Sequence, residues 1–304
     1  MDIKKEIDIL KKKKKAVILA HYYTLPEVQE SADCLGDSLA LAQYAQKADA
    51  DIIVFAGVHF MAETAKILNP DKMVCIPDFG SRCSLAETCP AEDFRVFREE
   101  HPDHRVISYI NCSAAVKAMS DVICTSGNAE RIVASFGKDE KLIFAPDENL
   151  GNYINRKTGR NMLLWNGGCH VHFQLDEEDY MEAVSKHPDA VFIAHPECRE
   201  RLLEHAAFVG STTALINYVG NTEYPYYIIA TEEGIGHEIH RRYPFKKVEI
   251  LRKKNNIMHR CAYMKLNTLE KIYDCLKYGR NEIEMDADLI EKARIPILKM
   301  LSLS

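Results

Sequence analysis

The chain has 304 residues, 47% apolar and 28% charged, with a formal net charge of −6. That is the composition of a folded globular chain rather than a disordered one, and the acidic balance argues against nucleic acid as the main partner. No apolar run approaches the roughly 18 residues of a membrane-spanning helix, and the opening MDIKKEIDILKKKKK carries charges where a secretory signal needs an apolar core. A soluble, cytoplasmic protein with no membrane partner is expected.

Residues 1–15 read as a helix with one apolar stripe, Ile3, Ile7 and Leu10, and Lys11–Lys15 as its solvated end. A repeated plan follows. The first unit, expected over 16–98, sets AVILAHYYT as a strand, DSLALAQYAQKA as a helix, DIIVFAGVH as a strand, MAETAKIL as a helix and KMVCIPD as a third strand. The second, over 99–186, runs RVISYINCS, DVICTSGN, the helix-like AERIVASF and KLIFAPDENLG. The third, over 187–262, runs AVFIAHPEC, AAFVGSTT, the helix-like ALINYV and YYIIATEEG. Short β-branched apolar runs alternating with helical stretches indicate parallel sheets covered by helices. The first strands begin near Val17, Val106 and Val191, offsets of 89 and 85 residues, so the fold class is α/β with three repeated parallel-sheet units. Residues 263–304 carry two helical patterns, interrupted at Gly279 and again at Pro296, expected to pack back on the units.

In parallel sheets, ligands bind beyond the carboxyl ends of the strands. Those positions hold His21, Tyr22 and Tyr23 in unit one, Tyr109 and Asn111 in unit two, and His195 and Glu197 in unit three. Ser38, Ser126 and Ser211–Thr213 each stand before a helical pattern. Such hydroxyls are ordinarily N-caps. Gathered at one centre, they and the helix starts would instead offer donors to an anion. Read alone, Glu197 is a surface residue opening the charged helix ECRERLLEH.

Ten cysteines fall at 34, 75, 83, 89, 112, 124, 169, 198, 261 and 275, with no C-x-x-C among them. Zinc ribbons, thioredoxin-like pairs and bacterial ferredoxin clusters are excluded by their signatures, and a reducing compartment makes a disulfide framework unexpected. Most read as small buried hydrophobes. Cys83, Cys169 and Cys261 differ, because each closes one unit and they lie 86 and 92 residues apart. If the units are related by an approximate threefold, the three thiols converge near its axis. Three thiolates from separate loops suit a four-iron cluster with one open iron, or a zinc ion with a water. His170 and His172 flank Cys169; they read first as structural histidines, with His172 the one placed to touch substrate. Gly234-Ile-Gly236 fails as a dinucleotide fingerprint, since Ile239 stands where the third glycine belongs. A structural zinc module and an electron-transfer iron–sulfur protein are the rival classes. The polar strand ends argue against the first, and the lack of a fourth repeat-spaced cysteine against the second.

The segments AHYYTLPEVQESADCLGDSLALAQYA, GVHFMAETAKILNP, PDFGSRCSLAETCPAEDF, SYINCSAA, DVICTSGNA, PDENLGNYI, HPEC, GST and MKLNTLEKIYDCL, in this order along nearly the whole chain, resemble the quinolinate synthase family. The resemblance implies three pseudo-threefold-related α/β units around a central active site, with a [4Fe–4S] cluster held by Cys83, Cys169 and Cys261. It implies condensation of iminoaspartate with dihydroxyacetone phosphate to quinolinate in NAD biosynthesis, with functional coupling to an aspartate-oxidising enzyme. It also implies substrate contacts at His21, Ser38, Tyr109, Asn111, Ser126, His172, His195, Glu197, Ser211 and Thr212, and catalytic roles for Glu197, Tyr23 and His21. Cys112 stands where a threonine is common. Asn255 and Met258 replace the extra cysteines that some relatives carry before the third ligand, so a disulfide switch there is not expected.

Overall fold

The computed structural model describes residues 2–253 and 257–304. Unit one contains β1 (Ala16–His21), β2 (Cys34–Gly36), β3 (Ile52–Ala56) and β4 (Met73–Cys75). Unit two contains β5 (Arg105–Tyr109), β6 (Val122–Cys124), β7 (Leu142–Ala145) and β8 (Leu163–Leu164). Unit three contains β9 (Ala190–Ala194), β10 (Phe208–Val209), β11 (Tyr226–Ala230) and β12 (Val248–Ile250). Each unit forms one parallel sheet, and the order is the same three times: β2-β1-β3-β4, β6-β5-β7-β8 and β10-β9-β11-β12. A short antiparallel pairing of Arg252–Lys253 with Ile257–Met258 follows β12.

The inner strands are continuous apolar runs because helices cover both faces of each sheet, leaving no solvent side for polar residues to occupy. Three strands per unit are expected from the sequence; the structure has four. The additional ones are β2, β8 and β12, edge strands of two or three residues. A run that short carries no periodicity, and only its pairing partner makes it a strand.

Registers make the repeat quantitative. Ala20 pairs with Ala56, Ser108 with Ala145, and Ala194 with Ala230. His21, Tyr109 and His195 therefore occupy one equivalent position, and Tyr23, Asn111 and Glu197 another. Two residues beyond the second inner strand, the equivalents are Val58, Asp147 and Glu232.

The terminal helices close the body. Ile3–Lys13 buries Ile7 against Ile18, Leu269, Ile272 and Leu276, joining the N-terminus to the helix Leu269–Tyr278. Lys11 reaches Asp33 at 2.7 Å and Lys15 reaches Asp49 at 2.6 Å. Gly279, at φ 67°, ends Leu269–Tyr278 and returns its N–H to the Cys275 carbonyl, a conformation glycine adopts without strain. Pro296 does not interrupt the last helix, contrary to the sequence expectation: Ala287–Ser302 runs through it. Ile290, Ala293, Pro296, Ile297 and Met300 are buried along one face. That face packs on His59–Leu68 of unit one and on Ala114–Ala118 and β6 of unit two. Tertiary burial thus outweighs the roughly 3 kcal/mol that proline costs inside a helix. Among the described residues, no helix is long and apolar enough to cross a membrane.

Candidate active site

The carboxyl ends of β1, β5 and β9 open on one cavity, lined from all three units. His21 and His195 enter it in the same way. The Nδ1 of His21 accepts from Tyr23 N at 3.1 Å, and the Nδ1 of His195 from Glu197 N at 3.4 Å. An Nδ1 acting as acceptor puts the imidazole proton on Nε2, so both neutral rings present N–H donors elsewhere; that of His195 lies 3.3 Å from Ser126 Oγ. Burial is the main cause that pushes their pKa values down, to about 4 for His21 and about 3 for His195. Both are uncharged near neutrality.

Glu197 is 3% exposed, inside the cavity and not at the start of a surface helix, which begins only at Glu200. Its Oε1 accepts from the Tyr109 hydroxyl, and its Oε2 lies 2.9 Å from His172 Nδ1. Burial pushes the carboxyl up, but the neighbouring His172 imidazole and the Tyr109 hydroxyl outweigh it and hold Glu197 well below the usual carboxylate range. Burial, with the Glu197 charge beside it, pushes Tyr109 well up, so the phenol keeps its proton. Tyr23 is likewise pushed up by burial, and its hydroxyl lies 2.9 Å from Thr212 Oγ1 and 2.7 Å from Thr231 Oγ1. The same Thr231 hydroxyl lies 3.0 Å from His172 Nε2, linking Tyr23 to His172 and through it to Glu197.

The hydroxyls sort differently from their default reading. Asp37, not Ser38, caps the helix Ser38–Lys47, accepting from Ala40 N, so the Ser38 side chain lines the cavity at a helix start. Ser126 and Thr212 line it too, as does Asn111, whose buried Oδ1 has no hydrogen-bond partner. Ser211 does not line the cavity. It caps Thr212–Asn221 and donates to Asp37 Oδ2 at 3.1 Å, tying unit three to unit one.

Cys83, Cys169 and Cys261 all line this cavity, and all are free thiols. Each stands just before a helical turn: Cys83 before Ser84–Glu87, Cys169 before His170–Phe173 and Cys261 before Met264–Leu266. Burial is the first cause that pushes the Cys83 thiol up to about 12 and that of Cys261 to about 11. For Cys169 burial is joined by the charge of Glu197. Thiols gathered in one cavity with their pKa values raised keep their protons unless a cation takes their place, so the donor set fits a thiophilic metal group. Cys169, His172 and Glu197 further bring one ligand atom each to within 4.8 Å of one another. Cys89, six residues past Cys83, packs instead with Phe94, Val106, Cys112 and Val116. The position of Asn255 lies outside the described residues.

Thirteen of the fourteen residues that the family resemblance implies thus line one cavity, Ser211 being the exception; of the further strand-end candidates, Tyr22 and Thr213 also lie outside it. Asp37, Ser84, Thr125 and Glu232 line it without standing among the fourteen, and Thr231 joins the site through Tyr23 and His172. Thr231 and Glu232 follow directly on β11, where the strand-end rule points, whereas Ser84 touches His170 Nδ1 at 2.5 Å across 86 residues and had no local signal. Two glycines let the loops close. A Cβ on Gly167 would collide with Thr88 and the Pro146 carbonyl, and one on Gly234 would sit 2.6 Å from the Tyr22 carbonyl oxygen.

Thiols suited to a soft cation, beside a buried carboxylate and neutral imidazoles, make this an enzyme-type site whose donors fit a metal. Comparison with known proteins narrows it. A sequence model of the family described as Quinolinate synthetase A protein matches residues 5–302. Quinolinate synthase of Thermosynechococcus vestitus is 50% identical over 306 residues, covering 100% of this chain and 96% of the relative. That of Chlorobaculum tepidum is 52% identical over 302 residues, covering 99% and 94%, and that of Chloroherpeton thalassium 50% over 307, covering 100% and 95%. The chain belongs to the quinolinate synthetase A family.

Proposed function

We propose that this chain is a quinolinate synthase that condenses iminoaspartate with dihydroxyacetone phosphate, giving quinolinate, phosphate and water for NAD biosynthesis. The observation that carries the reading is the placement of one thiol from each unit along the cavity that holds Glu197. In this reading Cys83, Cys169 and Cys261 hold a [4Fe–4S] cluster, which when bound supplies a Lewis-acidic iron for oxygen that leaves as water.

The chain's own residues then have separable tasks. Both substrates are anions, and the helix starts at Ser38 and Thr212 with the hydroxyls of Ser38, Ser126 and Thr212 receive carboxylate and phosphate oxygens. The Nε2–H groups of neutral His21 and His195 add donors without adding charge, and Asn111 Oδ1 offers an acceptor to an imine or hydroxyl hydrogen. Glu197 is the base: it is ionised, buried and fixed by Tyr109 and His172, so it can take a proton from a carbon or nitrogen beside it and return it. Tyr23, protonated and held between Thr212 and Thr231, supplies a proton from unit one. Ser211 contributes through Asp37, holding the helix start of unit three against unit one. An enzyme that oxidises aspartate is the coupled source of iminoaspartate.

The test is anaerobic purification with iron, sulfide and zinc counted per chain, followed by a quinolinate assay. About four irons and four sulfides per chain, with quinolinate formed, support the reading. Zinc without sulfide, and no quinolinate, would overturn it.

A further inference from the structure

Glu232 also lines the cavity, yet its oxygens are engaged by the protein itself. It is 0% exposed. Oε1 accepts from the backbone N of Cys261 at 2.9 Å and lies 2.9 Å from Lys265 Nζ, and Oε2 accepts from Gly234 N at 2.6 Å. Lys265 in turn donates to the Tyr23 carbonyl oxygen at 2.7 Å. One carboxylate therefore ties the loop of the third thiol to the end of β11, and through Lys265 to the end of β1.

The fold does not require an acid here. The equivalent residue of unit one is Val58, at the same two-residue distance from its strand. In unit two it is Asp147, which caps Leu150 N at 2.7 Å through Oδ1 and whose buried Oδ2 has no hydrogen-bond partner; burial and the Glu197 charge push its carboxyl well up. A buried carboxylate is tolerated only where donors surround it, and Glu232 has three. Of the three equivalents, Glu232 is the one that accepts from the backbone of a cavity cysteine, Cys261.

We infer that Glu232, with Lys265, is a positioning residue that fixes the Cys261 loop and the Tyr23 backbone relative to one another, so that the third thiol and the strand end of unit one are held as one body. This rests on the reading of Cys261 as a metal ligand, but the anchoring can be measured without metal. The iron-free full-length chain is treated anaerobically with iodoacetamide, and alkylation of each cysteine is followed by peptide mass spectrometry. In Glu232→Ala, Cys261 should react about fivefold or more faster than in the unsubstituted chain, with Cys83 and Cys169 within about twofold, because the opening is local. Glu232→Gln keeps the side-chain volume, loses the charge and should rank between the two if the alanine variant folds poorly. Lys265→Met strands a buried charge, so the Glu232→Gln/Lys265→Met pair should protect Cys261 better than Lys265→Met alone. An unchanged Cys261 rate, or equal acceleration of all three thiols, would overturn the anchoring. Failure of the ligand reading looks different: Cys261→Ala would keep its iron while the alkylation ranking above still held.

Discussion

Glu197 and His195 lie two residues apart and are held in opposite states, one ionised and one neutral, by what faces them rather than by the strand that carries them. Glu197→Gln keeps the size and much of the hydrogen bonding but removes the base. It should retain iron and sulfide while losing on the order of 10²-fold or more in turnover; near-normal quinolinate formation would remove Glu197 from the chemistry. The buried histidines also set an acid limit. An unfolded histidine protonates near 6.5, whereas His21 and His195 do so only near 4 and 3 in the folded chain. Below about 6.5 the unfolded state binds more protons, so stability falls as pH drops toward 4 and then 3, by up to about 1.4 kcal/mol per pH unit for each group. Urea unfolding at pH 7.5 and pH 5 should show this loss, and His195→Gln should reduce it; equal losses in both proteins would refute the assignment.

At the scale of the element, the last helix is the instructive case. Ile297 is fully buried on the face that spans units one and two, while its neighbour Leu298 is 37% exposed. Ile297→Ala should cost about 2–5 kcal/mol in denaturant unfolding, and Leu298→Ala no more than about 0.5. For Pro296→Ala, a gain of about 3 kcal/mol in helix propensity is set against roughly 1.6 for two lost methylenes. A net stabilisation of the order of 1 kcal/mol is expected. A large destabilisation would mean that the proline ring is itself a packing element between the units.

For the whole molecule, the thiols come from three units, and only the complete fold brings them to one cavity. Replacing Cys83, Cys169 or Cys261 by alanine should each abolish stable iron retention, whereas Cys89→Ala should keep iron and lose only packing with Phe94 and Val116. Iron loss from Cys89→Ala with retention in Cys83→Ala would reassign the unit-one ligand. Because a group bound to the folded chain alone stabilises it by mass action, the loaded protein should melt above the iron-free one. Exposure to air should bleach the visible absorbance and remove quinolinate formation together, and anaerobic iron and sulfide should restore both.

Sequence alone determined the inner strands, because a strand covered on both faces must be an unbroken apolar run such as AVILA, RVIS or AVFIA. It also determined the polar strand ends and the repeat that singles out three cysteines, since both follow from position along the chain. Tertiary structure decided what depends on partners far apart in sequence. The edge strands β2, β8 and β12 exist through pairing, and Pro296 stays helical because two units bury its face. Cys83 rather than Cys89 faces the cavity, and Asp37 displaces Ser38 as the cap while receiving Ser211 from 174 residues away. Glu197 shows the division most clearly. Its local sequence is that of a solvated helix start, and only the Tyr109 hydroxyl and the His172 ring, supplied by unit two, make a buried carboxylate stable there.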